Sequence, residues 1–155
     1  MRIVRVVKPL DALFTTVLHA VLSFAMRTPG GTIPIGWYAT RVSVEYHTES
    51  KGMLLLAVLD DADVVCGHCL ALVEQSYTRQ LFWCYQAYLD KGAPAAERSR
   101  IIREGLSLLD DWGRKTGCVA LGMATTRPAR AMARRFGFAP TVTLLERPLH
   151  TDGGA

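Results

Sequence analysis

The stretch MLLLAVLDDADVVCGHCLALVEQSYTRQLFWCYQAYLD, residues 53–90, decides the fold of this chain. It contains three runs rich in apolar and β-branched residues, which are separated by turn-like segments at residues 60–63 and 76–79. Runs of this kind with short turns between them predict three consecutive strands that pair as an antiparallel meander. We therefore expect residues 53–90 to form the centre of a sheet.

The tetrapeptide CGHC at residues 66–69 is the active-site sequence of disulfide-exchange enzymes of the thioredoxin class. Such chemistry needs both sulfurs at the start of a helix, where the dipole lowers the pKa of the first thiol. The flanking residues predict a strand instead, on which Cys66 and Cys69 point to opposite faces with Cα atoms roughly 10 Å apart, too far for a disulfide. No second Cys-x-x-Cys follows that would complete a zinc site. We expect buried, reduced thiols and no metal.

The composition indicates one compact domain. A chain of 155 residues, half of them apolar, is long enough to bury a full core, and we expect it to span residues 1–150 with a flexible tail at 151–155. Four cysteines within apolar runs are typical of a reduced intracellular protein, so we expect a cytoplasmic location. The formal charge of +4 permits an anionic ligand but does not require one.

The residues before the meander predict a strand and at least one helix. MRIVRVV alternates as a short strand, and Pro9 ends it before Asp11 caps a helix that runs to about Phe24. The apolar run 12–26 superficially resembles a secretory signal, but it is shorter than the roughly 20 residues that cross a bilayer, and we expect a buried helix and no membrane association. Residues 36–50 fit either a second helix, which we favour, or a strand.

The residues after the meander predict alternating helices and strands. Apolar side chains at 3.6-residue spacing predict a long helix, and a nearly continuous apolar run predicts a strand that is covered on both faces. The segments are the helix 97–115, closed by Gly117, the strand 118–124 (CVALGMA), the arginine-rich helix 127–136, stopped by Gly137, and the strand 141–149 (TVTLLERPL). The predicted fold class is α/β, a mixed central sheet flanked by helices.

Two stretches of sequence, together with this order of elements, resemble the GNAT superfamily of N-acetyltransferases. SRIIREGLSLLDDWGRKTGCVALGM, residues 99–123, is similar to the central helix and following strand of that superfamily, including the Trp-x-x-x-x-Gly-Cys ending. ARAMARRFGFAPTVTLLERPL, residues 129–149, is similar to its last helix and strand. The general pattern resembles divergent members that bacteriophages encode.

The resemblance implies a cofactor and a place for it. In this superfamily acetyl-CoA lies between two splayed neighbouring strands, and an amine attacks the thioester directly. Backbone amides at the start of the central helix would bind the pyrophosphate. The implied cofactor-binding residues lie at the end of the third meander strand and at the start of the helix: Tyr88, Leu89, Arg98, Ser99, Arg100 and Arg103.

Two features of the superfamily are missing from the sequence. Counted back from Gly117, the two glycines of the phosphate loop fall at Arg100 and Ile102, whose side chains would keep a phosphate away from the backbone. The tyrosine that acts as general acid falls at Ala133, which has no proton to donate. The resemblance therefore implies the fold more strongly than the activity.

Catalytic candidates remain on the meander strands. Tyr85 and Tyr88 carry hydroxyl groups, and His68 is the side chain in this region with a pKa near neutrality. A carboxylate base is not evident, since Asp90 and Glu74 lie at the ends of their strands.

Three functions follow from these residues. We expect a protein that keeps the acetyltransferase fold but works by binding another protein, as an assembly factor associated with a phage virion or with a host protein. The alternative is an active acetyl-CoA-dependent N-acetyltransferase that acts on an amine of a small molecule or protein. Nucleic-acid binding through the arginine-rich helix ranks third, because four arginines without interleaved aromatic residues are a weak footprint.

Overall fold

The computed structural model describes residues 1–6, 12–27, 41–42, 51–75, 79–123 and 129–139. The strands are β1 Arg2–Arg5, β2 Met53–Leu59, β3 Val65–Gln75, β4 Gln80–Leu89 and β5 Ala120–Met123. The helices are α1 Ala12–Arg27, α2 Ala95–Lys115 and α3 Ala129–Phe136. The chain divides into two compact units, Met1–Ala124 and Thr125–Ala155.

The first unit contains a five-stranded sheet with the strands in chain order, β1-β2-β3-β4-β5. Neighbouring strands are antiparallel from β1 to β4, and β4 and β5 are parallel. The predictions of a mixed sheet and of a three-strand antiparallel meander followed by a helix and a strand are confirmed.

Strand β2 is buried over its whole length, as its continuous apolar sequence requires. Alternate side chains of β2 enter two separate clusters, one on each face of the sheet. Leu55 packs with Val17 and Val21 of α1, while Leu54 and Leu56 pack with Leu109 of α2 on the other face. Each fully buried leucine of this kind stabilises the fold by about 1.5–3 kcal/mol, so the two helices are held by the same strand from opposite sides.

A β-bulge in β4 changes which face its side chains point to. Ala71 of β3 pairs with Cys84, but the preceding Leu70 pairs with Gln86, so Tyr85 is an extra residue in the register of β4. Before the bulge, Cys84 belongs to the cluster under α2. After it, Gln86 contacts His68, whose ring packs against Phe24 of α1. The end of β4 therefore presents Gln86 and Tyr88 on the α1 side of the sheet.

Several predicted boundaries move in the structure. Strand β1 ends at Arg5, helix α1 extends past Phe24 to Arg27, and α2 begins at Ala95 instead of Glu97. The expectation that the strand 118–124 is covered on both faces is wrong. Val119 is 68% exposed, Ala120 is exposed, and residues 121–123 are half-buried, since within the described residues β5 is the edge strand of the sheet.

The glycine stops on both C-terminal helices are confirmed. Gly117 after α2 and Gly137 after α3 have φ values of 78° and 73°, which side chains with a Cβ rarely adopt. The predicted strand 141–149, the tail 151–155 and most of segment 36–50 lie outside the described residues; Arg41 and Val42 within that segment are helical.

Candidate functional site

A cavity of about 230 Å³ lies between helix α1, the start of strand β3 and the end of strand β4. Its described lining consists of Ala20, Phe24, Val65, Cys66, Gly67, His68, Tyr88 and Asp90. Ala20 and Phe24 continue the helical stripe that begins with Leu13 and Val17, so the same face of α1 that covers the sheet also forms the cavity wall. Gly67, opposite Leu89, contributes backbone atoms to the lining.

Three aromatic rings meet at this cavity. The Phe24 ring lies 5.9 Å from the His68 ring at 79° and 5.5 Å from the Tyr88 ring at 48°, measured between centroids. The His68 and Tyr88 rings, from directly paired positions of β3 and β4, are 5.8 Å apart. Tyr88 is 42% exposed, so a ligand can reach its ring.

The His68 ring is buried and neutral near pH 7. Burial lowers its pKa, and the hydrogen bond with Gln86 opposes that shift without cancelling it. His68 Nε2 lies 3.2 Å from Gln86 Oε1. Because an amide oxygen only accepts, this contact places the ring proton on Nε2 and leaves the lone pair on Nδ1.

The two tyrosines named as catalytic candidates have different surroundings. Tyr85, the bulge residue, donates its hydroxyl proton to Glu74 Oε1 at 2.7 Å, and Glu74 also lies 3.5 Å from Arg41 Nη2. Tyr88 lines the cavity. The structure therefore brings Tyr88 and His68 together at one site and places Tyr85 in a polar contact between β3 and β4.

Helix α2 follows β4 after a short loop, residues 90–94, and no side chain caps its first amide groups. Pro94 is the N-cap residue, no side chain caps the helix, and the first helical hydrogen bond runs from Arg98 N to Pro94 O. The N–H groups of Ala95, Ala96 and Glu97 precede that bond. Gly92, Ala93, Ala95 and Ala96 around this start have small side chains or none.

This helix start changes the meaning of the missing glycines. Counting back from Gly117 placed the phosphate loop at Arg100 and Ile102, but both residues lie inside α2, more than a turn beyond its start. The segment that precedes the helix is Lys91–Pro94, and its glycine is Gly92. The predicted helix 97–115 already contained Arg100 and Ile102, so the count from Gly117, and not the helix boundary, placed the loop there.

The arginines predicted to bind a cofactor contact the chain itself. Arg98 Nη1 donates to Lys91 O at 2.6 Å and also to Ala93 O, so it holds the loop before α2. Arg100 donates to Met1 O at 2.7 Å and to Glu104 Oε2 at 3.0 Å. Arg103 Nε donates to Ser99 O at 3.2 Å. Arg98 lies beside the uncapped amides, whereas Arg100 and Arg103 lie further along the helix.

The cysteines are free thiols, as predicted. Cys66 and Cys69 lie on strand β3, and burial raises the pKa of the Cys66 thiol. Cys69 Sγ is 3.7 Å from Cys84 Sγ on the α2 side of the sheet, and this contact, followed by burial, raises the pKa of the Cys69 thiol well above its ordinary value. The CGHC sequence therefore lacks the helix start that activates a redox pair.

Sequence reasoning missed part of the cavity. Ala20 and Phe24 follow helical spacing that was visible in the sequence, but the spacing could not say which strands they would face. Within the described ranges, no group of three or more His, Cys, Asp or Glu side chains could hold a metal ion. The helices that the structure describes are too short or too polar to span a membrane.

The sequence matches no protein-family model and no curated protein. The structure is similar to glucosamine-6-phosphate N-acetyltransferase from Arabidopsis thaliana, with a TM-score of 0.64, 8% identity, and coverage of 96% of this chain and 98% of that chain. It is also similar to AAC(6')-Iy in complex with the bisubstrate analogue CoA-S-monomethyl-acetylneamine, with a TM-score of 0.65, 13% identity, and coverage of 96% and 97%.

A further similar structure is an aminoglycoside antibiotic 6'-N-acetyltransferase from Acinetobacter haemolyticus, with a TM-score of 0.63, 14% identity, and coverage of 98% of this chain and all of that chain. Identities this low carry information on the fold alone. These similarities span nearly the whole length of both chains. The chain has the fold of the GNAT acetyltransferases, as its sequence predicted.

Proposed function

We propose that this chain is an acyl-CoA-dependent N-acyltransferase whose acceptor amine enters the cavity beside Tyr88. One observation carries the proposal: the cavity and the uncapped start of α2 lie at the same end of β4. Tyr88 and Asp90 line the cavity, and α2 begins at Ala95. A group bound at the helix start would then lie at the same strand end as a ligand in the cavity, and positioning of this kind supplies much of the rate of a transfer reaction.

Acetyl-CoA fits the residues at the helix start. The amides of Ala95, Ala96 and Glu97 point out of a helix N-terminus, which favours anionic groups such as a pyrophosphate. The small side chains around them let such a group approach the backbone. When bound, acetyl-CoA would supply an acetyl group activated as a thioester.

The edge of β4 also has room for an extended ligand. The pairing of β4 with β5 ends at Cys84 and Met123, one residue before the bulge. Within the described ranges, no strand pairs with this edge over residues 86–89. The edge of an extended strand is suited to hydrogen bonding with an amide-containing chain.

A second candidate is the function that the sequence favoured, a protein of the same fold that binds another protein during assembly, including a phage virion or host protein. Two observations support it. Ala133 replaces the tyrosine that donates a proton in the superfamily. Arg100, one of the cations expected to contact the cofactor, is paired with Glu104 and bound to Met1 O.

Titration calorimetry with acetyl-CoA and CoA separates the two functions. The enzyme requires binding, and the variant Ala96→Glu should weaken it at least tenfold, because it places a carboxylate among the amides that would bind the pyrophosphate. The matched control Ser107→Glu adds the same charge to an exposed position about 16 Å further along α2, at 1.5 Å per residue, and should bind acetyl-CoA like the unaltered chain. Absence of heat at millimolar acetyl-CoA would refute the enzyme and favour the assembly protein.

A further inference from the structure

The cavity has the chemistry of a site for a cation. Asp90 supplies a carboxylate, and the rings of Phe24, His68 and Tyr88 supply aromatic surfaces. Aromatic faces attract ammonium groups, and the attraction increases when the site is shielded from water. Among the described lining residues there is no lysine or arginine, so a phosphate or carboxylate on a ligand would meet no opposite charge.

The cavity is small and opens to solvent. Its volume is about 230 Å³, whereas pockets that bury drug-sized ligands have about 300–1,000 Å³. A single small amine, or the amino end of a longer side chain, matches this space.

The polar side chains in the lining are those of Cys66, His68, Tyr88 and Asp90. The Asp90 carboxylate already accepts from Gly92 N at 3.2 Å through Oδ1, which fixes its direction. The side chains of Ala20, Phe24 and Val65 are apolar and make no hydrogen bonds with hydroxyl groups, so this part of the lining suits an apolar stem.

Neutral His68 is part of this selectivity. A protonated ring beside Tyr88 and Asp90 would repel an ammonium group, and burial against α1 disfavours that protonated form. The Gln86 contact holds the ring in place from the side of the sheet. The titratable side chains that share the cavity with His68 are Cys66, Tyr88 and Asp90, while the described wall of α1 contributes Ala20 and Phe24, which do not titrate.

We propose that the cavity binds the amino end of a small, singly charged primary amine on an apolar stem, with the ammonium group between Asp90 and the Tyr88 ring. The inference rests on the proposed function in so far as this amine is the acyl acceptor. It distinguishes the chain from the aminoglycoside and glucosamine-6-phosphate acetyltransferases whose fold it shares. The binding itself needs no acyl donor and can be measured separately.

The test is an NMR titration of the unaltered chain with n-butylammonium, 1-butanol, glucosamine and glucosamine 6-phosphate. We expect n-butylammonium to shift the resonances of Gly67 and Tyr88 and to bind at least fivefold more tightly than each of the other three. Equal affinity for 1-butanol would overturn the proposal, because the site would then recognise only the stem. Tighter binding of either sugar would also overturn it.

Variants identify the groups that carry the charge preference. Asp90→Asn should weaken n-butylammonium about tenfold and leave 1-butanol unchanged, while Asp110→Asn on the exposed face of α2 is the matched control. Tyr88→Phe keeps the ring and should bind normally, whereas Tyr88→Leu should lose about fivefold, in line with a cation–ring attraction of about 1 kcal/mol. Equal losses in Tyr88→Phe and Tyr88→Leu would refute the ring's role.

Measuring the release of free thiol from acetyl-CoA then distinguishes a failure of this inference from a failure of the proposed function. If acetyl-CoA gives heat but amines on apolar stems do not increase thiol release while glucosamine does, this inference fails and the proposed function stands. If acetyl-CoA gives no heat and n-butylammonium still binds selectively, the cation site stands and its role as an acceptor site fails with the enzyme.

Discussion

Gly67 occupies the tightest position of β3 in its pairing with β2 and β4. A Cβ at this position would lie 2.8 Å from Tyr88 O, 3.0 Å from Leu89 Cδ1 and 3.2 Å from Val58 Cβ, and the carbonyl oxygen cannot move without disturbing the β3–β4 pair. We expect Gly67→Ala to lower the free energy of unfolding by about 1–3 kcal/mol, measured by urea denaturation.

Gly105 provides the control for Gly67. A Cβ there would meet only Ile3 Cδ1, at 3.8 Å, an ordinary contact on a helix. Gly105→Ala should therefore raise the free energy of unfolding by about 0.5–1 kcal/mol through helix propensity. If both variants changed stability in the same direction, the steric argument for Gly67 would be wrong.

His68 gives the protein a stability that depends on pH. Its pKa is lowered by burial below the ordinary value of 6.5, so the unfolded chain binds more protons than the folded chain as the pH falls below 6.5. The free energy of unfolding should fall on acidification with a contribution of at most about 1.4 kcal/mol per pH unit. Urea denaturation at pH 7.5 and 5.5 measures this slope.

His68→Gln isolates that contribution, because glutamine can keep the contact with Gln86 Oε1 and has no titrating ring. The variant should be less sensitive to acid than the unaltered chain. His19→Gln on the exposed side of α1 should keep the original slope. Identical slopes in all three proteins would show that His68 is not buried in the neutral form.

The tyrosines show how far single residues could be predicted. The sequence placed Tyr85 and Tyr88 on one strand and could not separate their roles. The bulge separates them, since it pairs Tyr85 with Glu74 and sends Tyr88 to the cavity. A bulge depends on how the backbone hydrogen bonds of two strands match, and nothing in the side-chain pattern of β4 indicates it.

At the scale of elements, the loop between β4 and α2 depends on Arg98. Its guanidinium donates to Lys91 O and to Ala93 O, which fixes the backbone ahead of the uncapped amides. Arg98→Ala should weaken acetyl-CoA about fivefold, the equivalent of about 1 kcal/mol of lost hydrogen bonding, in titration calorimetry. Arg103→Ala removes one contact within α2, to Ser99 O, and should leave the affinity unchanged. Equal losses of acetyl-CoA affinity in both variants would show that the positive charges of α2, and not the loop that Arg98 holds, determine cofactor binding.

Elements with strong periodicity were predicted well, and their ends were not. The 3.6-residue spacing in α2 and the unbroken apolar run of β2 each permit one packed arrangement, so both were found from the sequence. The start of α2 was misjudged because Ala95 and Ala96 carry no apolar signal, although alanine is a strong helix former. Arg100 and Ile102 lie within the helix with either start, so this error of two residues did not determine where the phosphate loop was assigned.

At the scale of the whole molecule, the order of the helices and strands was the feature that could be predicted best from the sequence. Short connections between successive strands favour neighbouring antiparallel pairs, and a helix between β4 and β5 makes that pair parallel. The cavity could not be predicted in the same way, because it needs α1 and the ends of β3 and β4 together. Residues that are 40 or more positions apart, such as Phe24 and His68, come into contact only through the complete fold.

Ligand linkage provides a prediction for the whole chain. A ligand that binds only the folded protein and is present at a concentration of 100 times its Kd adds about 2.7 kcal/mol to the free energy of unfolding. For a chain of this size that corresponds to a rise in Tm of roughly 5–11 °C. We expect acetyl-CoA to produce such a shift in differential scanning calorimetry, and ATP, which lacks the pantetheine chain that β4 would bind, to produce less at the same concentration. Equal shifts with both nucleotides would mean that the helix start binds phosphates without selecting the acyl donor, and the case for an acyltransferase would then rest on the cavity alone.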